Sequence, residues 1–110
     1  VGSHYSTSTG RFTAPIAGTY IFYFTAIGSN TNDVYRYFTR KNGTVYPHAN
    51  AQIRIDTGAT GSEYGYGTSA IIMDMAASDY AEIYFASDSS NASHGGSTSG
   101  HEIFSGHLLF

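Results

Sequence analysis

The chain is 110 residues long, 41% hydrophobic and 15% aromatic, with a formal net charge of −3. That length holds one domain, and abundant aromatic and β-branched residues at low net charge exclude a disordered chain. Without Cys there is no disulfide scaffold or cysteine nucleophile, and eight Asp and Glu against five Lys and Arg leave no basic footprint for nucleic acid.

Runs rich in Tyr, Phe, Ile, Val and Thr favour a pleated, half-buried surface, and in chain order they predict strands over residues 11–14, 19–27, 34–40, 45–55, 68–75, 80–86 and 103–110. Ser, Thr, Asn and Gly crowd into residues 6–10, 28–32, 57–67 and 87–100, which read as turns and loops. Tyr20, Phe22 and Phe24 alternate with Ile21, Tyr23 and Thr25, and Phe104, Gly106 and Leu108 alternate with Ser105, His107 and Leu109. Both faces carry apolar residues, the pattern of a strand covered on two sides. Lys41-Asn42-Gly43-Thr44 carries an Asn-Gly pair, both residues of which tolerate positive φ, and so predicts a tight hairpin. Met73 to Ala77 offers good helix formers, but the strand-like Tyr80-Ala81-Glu82-Ile83-Tyr84-Phe85 that follows favours a hairpin turning at 76–79. Seven or eight short strands with glycine-rich turns predict an all-β sandwich or jelly roll, with no apolar run of the ~20 residues a membrane span needs.

Few motifs carry chemistry. Gly65-x-Gly67-x-x-Ala70 matches a dinucleotide fingerprint in form only, because a strand follows it where that motif requires a helix. Its glycines are expected to bend the backbone and its tyrosines to pack near the axis or rim of an oligomer. There is no Gly-x-Ser-x-Gly elbow and no second His after His101-Glu102, so no catalytic residue is assigned. His94, His101 and His107 would become triplets in a symmetric trimer, a potential metal or pH-sensitive cluster, although exposed or packed imidazoles are the plainer reading. Asp33, Asp56, Glu63, Asp74, Asp79 and Asp88 are the carboxylates open to calcium, without the closely spaced ligand run of a ready loop. Asn42-Gly43-Thr44 and Asn91-Ala92-Ser93 are formal glycosylation sequons.

Thr9-Gly10-Arg11-Phe12-Thr13-Ala14-Pro15-Ile16-Ala17-Gly18-Thr19-Tyr20-Ile21-Phe22 resembles the T-G-x-F-T-A-P-x-x-G-x-Y-x-F core of the C1q-like globular domain. Phe104-Ser105-Gly106-His107-Leu108-Leu109-Phe110 resembles that family's F-S-G-x-L-L ending, and Asn42-Gly43 falls at its hairpin turn. The resemblance spans residues 5–110. It implies a jelly-roll β-sandwich of the C1q and tumour-necrosis-factor type with about seven to nine strands, a homotrimer on a stalk or fibre, and multivalent recognition without catalysis. Two departures stand out. The chain starts at the N-x-G-x-Y segment, so it is expected to be a single domain over 1–110 lacking the family's first strand, with upstream residues supplying that strand to an otherwise open edge at 103–110. The family's Gly-Asp after its leucine-rich strand is here Ser78-Asp79.

The resulting expectation is a non-enzymatic trimeric head that binds a surface glycan or protein at the tip of a stalk or fibre, on a phage or bacterial surface fibre or in a secreted lectin-like protein. The alternative is a purely structural trimerisation cap. Ligand candidates on the loops are Asn30, Asn32, Tyr64, Tyr66, Asp88 and Asn91. Phe12, Tyr20, Phe22, Phe24, Phe104 and Leu108 are assigned to the core or trimer axis. Tyr35, Tyr37, Tyr64, Tyr66 and Tyr84 exceed what one thin sandwich is expected to hold, so some are assigned to subunit contacts. No cofactor is required and calcium is optional. Partners are other copies of the chain and a surface ligand, without nucleic acid or membrane insertion. The location is extracellular or on a virion or cell surface, with any targeting signal outside these residues.

Overall fold

Two-residue alternation over Tyr20, Phe22, Phe24 and Ala26 sends four side chains to one side of a long strand, and all four are buried. Around that strand the computed structural model describes residues 3–28, 34–47, 52–56, 65–87 and 103–110. Their strands are β1 (Tyr5–Ser6), β2 (Arg11–Thr13), β3 (Gly18–Gly28), β4 (Val34–Lys41), β5 (Thr44–Val45), β6 (Gln52–Asp56), β7 (Gly65–Met75), β8 (Tyr80–Ser87) and β9 (Ile103–Leu108), with no helix among the described residues. They form two antiparallel sheets. One runs β1-β2-β8-β4-β5, with β6 also paired to β4, and the other runs β7-β3-β9.

The core lies between the sheets in two clusters. Tyr20, Phe22, Ile71, Met73 and Met75 form one, and Phe24, Tyr35, Tyr37, Ile53 and Ile55 the other. Phe104 packs against both, and its ring stacks on Phe22 with centroids 5.6 Å apart. Each such buried ring contributes about 1.5–3 kcal/mol. Gly106 sits opposite Phe22 in register, and a Cβ there would come 2.3 Å from the Phe22 ring. The ending Phe104-Ser105-Gly106 therefore supplies one ring and the space for another.

The hairpin at 41–44 forms as expected. Asn42 and Gly43 have φ of 49° and 80°, the signs that a type I′ turn requires, between the pair Lys41–Thr44. The turn at 76–79 also forms, between β7 and β8.

Elsewhere the structure revises the sequence reading. The strand expected over 45–55 is two strands, β5 and β6, on the same edge of β4 with different registers. Tyr46 still donates its N–H to the Thr39 carbonyl at 3.0 Å, but Pro47 has no N–H with which to continue the ladder. The short β1, placed by its pairing with β2, takes in Ser6, the first residue of the loop expected over 6–10. Gly65 and Gly67 do not bend a loop: they lie in β7, where a Cβ at Gly67 would meet Ile53 at 2.4 Å. Tyr35 and Tyr37 also fit inside the sandwich, Tyr35 with no exposure and Tyr37 donating its hydroxyl to the Ile27 carbonyl at 2.8 Å. That bond satisfies a polar tip that would otherwise keep the ring near water.

Candidate functional site

The two sheets turn very different faces outward. On the three-stranded sheet, the residues alternating with the core are Ile21 flanked by Ile72 and His107, then Tyr23 flanked by Ala70 and Ser105. Ile72 is 55% exposed, Tyr66 at the end of the same strand 64%, and Tyr23 43%. His107 lies beside Tyr23, with ring centroids 6.0 Å apart. No Lys or Arg projects from the described part of this face, and its one carboxylate, Asp74, accepts the Thr19 hydroxyl at 2.6 Å at the far end. A sheet face with several large exposed apolar side chains and no described cation marks an interaction surface.

The outer face of the six-stranded sheet is charged. Its alternation places Arg11, Glu82 and Arg40 in one cross-strand row, Tyr84, Phe38 and Gln52 in the next, and Ala86, Arg36 and Arg54 in the third. Arg11 Nε donates to Glu82 Oε2 at 3.0 Å, and Arg54 pairs with Asp56. The hydrogen bond to Glu82 raises the Arg11 pKa, against a smaller lowering by desolvation.

Between the sheets, a groove of about 560 Å³ runs along β9, lined by Tyr5, Phe12, Ile16, Tyr20, Phe104 and Leu108 among others. Among the described residues β9 pairs only with β3, so its other edge borders this groove. Leu108, assigned from sequence to core or axis, is 40% exposed here, whereas Phe12 and Phe104 are half-buried against the core. The chain end is tied to β3: Thr19 N–H donates to the Phe110 carbonyl and Leu109 N–H to the Thr19 carbonyl, each at 2.8 Å.

The opposite side-chain cluster is a structural lock. Asn42 Nδ2 donates to Asp79 Oδ1 at 2.8 Å, and Tyr80 N–H donates to Asn42 Oδ1 at 2.9 Å. Ala76 N–H donates to Asp79 Oδ2 at 2.9 Å, and Lys41 Nζ lies 3.3 Å from the same oxygen. These contacts, led by the Asn42 amide, hold the Asp79 carboxyl below its ordinary pKa. The Asn42 sequon thus has its amide nitrogen engaged within the turn.

Of the loop candidates, Tyr66 lies in β7 on the apolar outer face, while Asn30, Asn32, Tyr64, Asp88 and Asn91 lie outside the described residues. His94 and His101 also fall outside them, as do Asp33, Glu63 and Asp88 of the calcium candidates. Asp56, Asp74 and Asp79 each hydrogen-bond protein donors, and among the described residues no three metal-ligating side chains gather. Sequence reading missed the segregation of the arginines. Alternating Val34, Arg36, Phe38 and Arg40 against Tyr35, Tyr37 and Thr39 would have revealed it within β4.

Among the described residues, nine strands in two packed antiparallel sheets define a jelly-roll β-sandwich. The family model of the C1q domain matches residues 1–109, and the chain belongs to that family. C1q domains commonly form trimers that serve in recognition or assembly, are generally non-enzymatic, and are typically secreted or extracellular. No helix of the described residues is long and apolar enough to cross a membrane.

Proposed function

We propose that this chain is the globular head of a homotrimer that recognises a surface ligand, glycan or protein, at the end of a stalk or fibre. The observation that carries this reading is the apolar outer face of β7-β3-β9, where Ile21, Tyr23, Ile72 and Tyr66 meet water in an isolated copy. A three-fold arrangement covers that face in every subunit and leaves the arginine-bearing sheet outward. Burying each large apolar side chain there contributes about 1.5–3 kcal/mol. Three linked copies then multiply weak ligand sites, by on the order of 10²–10⁴ in avidity.

The edge of β9 that pairs with no described strand, and the groove beside it, support a second part of the proposal. A strand from residues upstream of Val1 pairs with β9 and fills the groove with alternate side chains. Hydrogen exchange compares the 110-residue chain with one extended upstream: slower exchange along β9 in the longer chain is expected, and unchanged exchange contradicts it.

Binding of the assembled trimer to a glycan array separates a recognition head from a trimerisation cap. Saturable binding to a defined glycan set is expected. A trimer that binds neither glycans nor cell surfaces would be a cap alone.

A further inference from the structure

We infer that the Asn42-Gly43 turn is a self-modification site kept silent by the Asp79 lock. When the lock opens, the Gly43 nitrogen attacks the Asn42 side-chain amide, ammonia leaves, and the acidic product cannot restore the lock. Neither the trimer nor its ligand is needed for this.

The residue pair supplies the chemistry. Asn42-Gly43 is the only Asn-Gly step in the sequence. Glycine has no side chain to shield its peptide nitrogen, and that nitrogen can close a five-membered ring onto the preceding asparagine Cγ. The Gly43 N–Asn42 Cγ bond forms and the Cγ–Nδ2 bond breaks. The proton lost from the Gly43 nitrogen leaves with Nδ2 as ammonia. Water then opens the cyclic imide at one of its two carbonyls. One opening leaves aspartate at position 42, and the other leaves isoaspartate, in which the main chain runs through Cβ. The net change consumes a water and releases an ammonia, with no oxidant or reductant.

The fold supplies the guard. The Asn42 amide is held at both ends: Nδ2 donates to Asp79 Oδ1 at 2.8 Å, and Oδ1 accepts the Tyr80 N–H at 2.9 Å. The Asn42 N–H donates to the Tyr80 carbonyl at 2.9 Å, so main chain and side chain are both tied to the start of β8. Ring closure needs Cγ free to turn onto the Gly43 nitrogen, and a clamped amide does not reach that near-attack geometry. The bond to Asp79 is charge-assisted and stronger than a neutral one, so its loss frees the amide most. Asp79 is itself fixed by the Ala76 N–H at 2.9 Å and by Lys41 Nζ at 3.3 Å. Asn42 is exposed, so water is at hand and local opening of the turn is the gate, without global unfolding.

The product makes the step one-way. Aspartate at position 42 sets a carboxylate where the Asp79 carboxylate had met an N–H donor, and two acceptors of like charge repel. Isoaspartate adds a main-chain atom to a two-residue turn whose φ angles, 49° and 80°, are those of type I′. Either product unties the β4–β5 hairpin from the β7–β8 hairpin.

Incubating the intact chain in mildly alkaline buffer at body temperature tests this, with ammonia release and peptide mapping of residue 42 as readouts. A peptide of residues 38–47, which lacks the lock, is the reference. The folded chain should convert at least about tenfold more slowly than the peptide, and Asp79→Ala at least about tenfold faster than wild type, the worth of one charge-assisted bond. Gly106→Ala, which loosens the core away from the turn, should stay within about threefold of wild type. Where circular dichroism shows Asp79→Ala unfolded, Lys41→Gln replaces it: losing the ammonium that steadies Asp79 should speed conversion about threefold. Asn42→Asp, which mimics one product, should lower the urea midpoint. A folded chain that converts as fast as the peptide overturns the inference. So does an unchanged rate in the folded lock variant, an equal acceleration by Gly106→Ala, or an Asn42→Asp chain as stable as wild type.

Discussion

Ser78 holds φ at +74° in the turn between β7 and β8, a left-handed conformation that costs a residue with a Cβ about 1–2 kcal/mol. Its neighbour Asp79 makes the bonds that close the turn, so the strain persists because the surrounding network over-determines it. Ser78→Gly removes the steric cost while adding some unfolded-state entropy, and should raise stability by about 0.5–1 kcal/mol. The urea midpoint should rise with the slope unchanged, and a lower midpoint would contradict the strain account. This position was half legible in the sequence. The departure from Gly-Asp to Ser78-Asp79 showed that something differed, but only the backbone angle shows that Ser78 holds a conformation that glycine adopts freely. The tyrosines were legible as strand residues, but not which of them go inside: Tyr35 and Tyr37 are buried while Tyr66 and Tyr84 are exposed. Residue type does not reveal that Tyr37 finds a carbonyl acceptor inside.

At the scale of elements, the turn lock ties the β4–β5 hairpin to the β7–β8 hairpin through one ionised carboxyl. Asp79 has a lowered pKa in the folded chain, so its contribution is complete above the ordinary value of 3.8 and is lost as pH falls through the lower folded value. A nuclear magnetic resonance titration of the Asp79 carboxyl should have its midpoint below 3.8, and Asp79→Asn should flatten the acid limb of the stability profile. A midpoint at or above that value would remove the lock's electrostatic role. The β3–β9 pairing depends on Gly106. Gly106→Ala drives a methyl into the Phe22 ring and should cost about 1–3 kcal/mol, read as an earlier thermal transition. A neutral result would mean that the Phe22–Phe104 stack is not tightly packed. Long strands were the readable elements, because eight to eleven residues of alternation and two sequence motifs mark them. The break between β5 and β6 was hidden, since a change of pairing register leaves no trace in residue type beyond Pro47. A two-residue strand such as β1 exists only through its partner.

At the scale of the whole molecule, the sandwich sorts its surface by sheet: apolar residues outside β7-β3-β9, arginines outside the six-stranded sheet. The sequence showed that β3 is apolar on both faces, which is the signature of a sheet covered twice, and this was the clearest hint of assembly in the chain. It could not show the sorting, because that depends on which strands share a sheet. The central claim is that the apolar face is the contact between three copies. Sedimentation equilibrium of the chain and of its Ile72→Glu variant tests this most directly, since Ile72, on the edge strand β7 beside Ile21, lies more than half exposed on that face. The account predicts a wild-type mass three times the 11.8 kDa of one chain and a folded monomer for Ile72→Glu. A monomeric wild type, or a trimer that tolerates a buried glutamate at position 72, would contradict it.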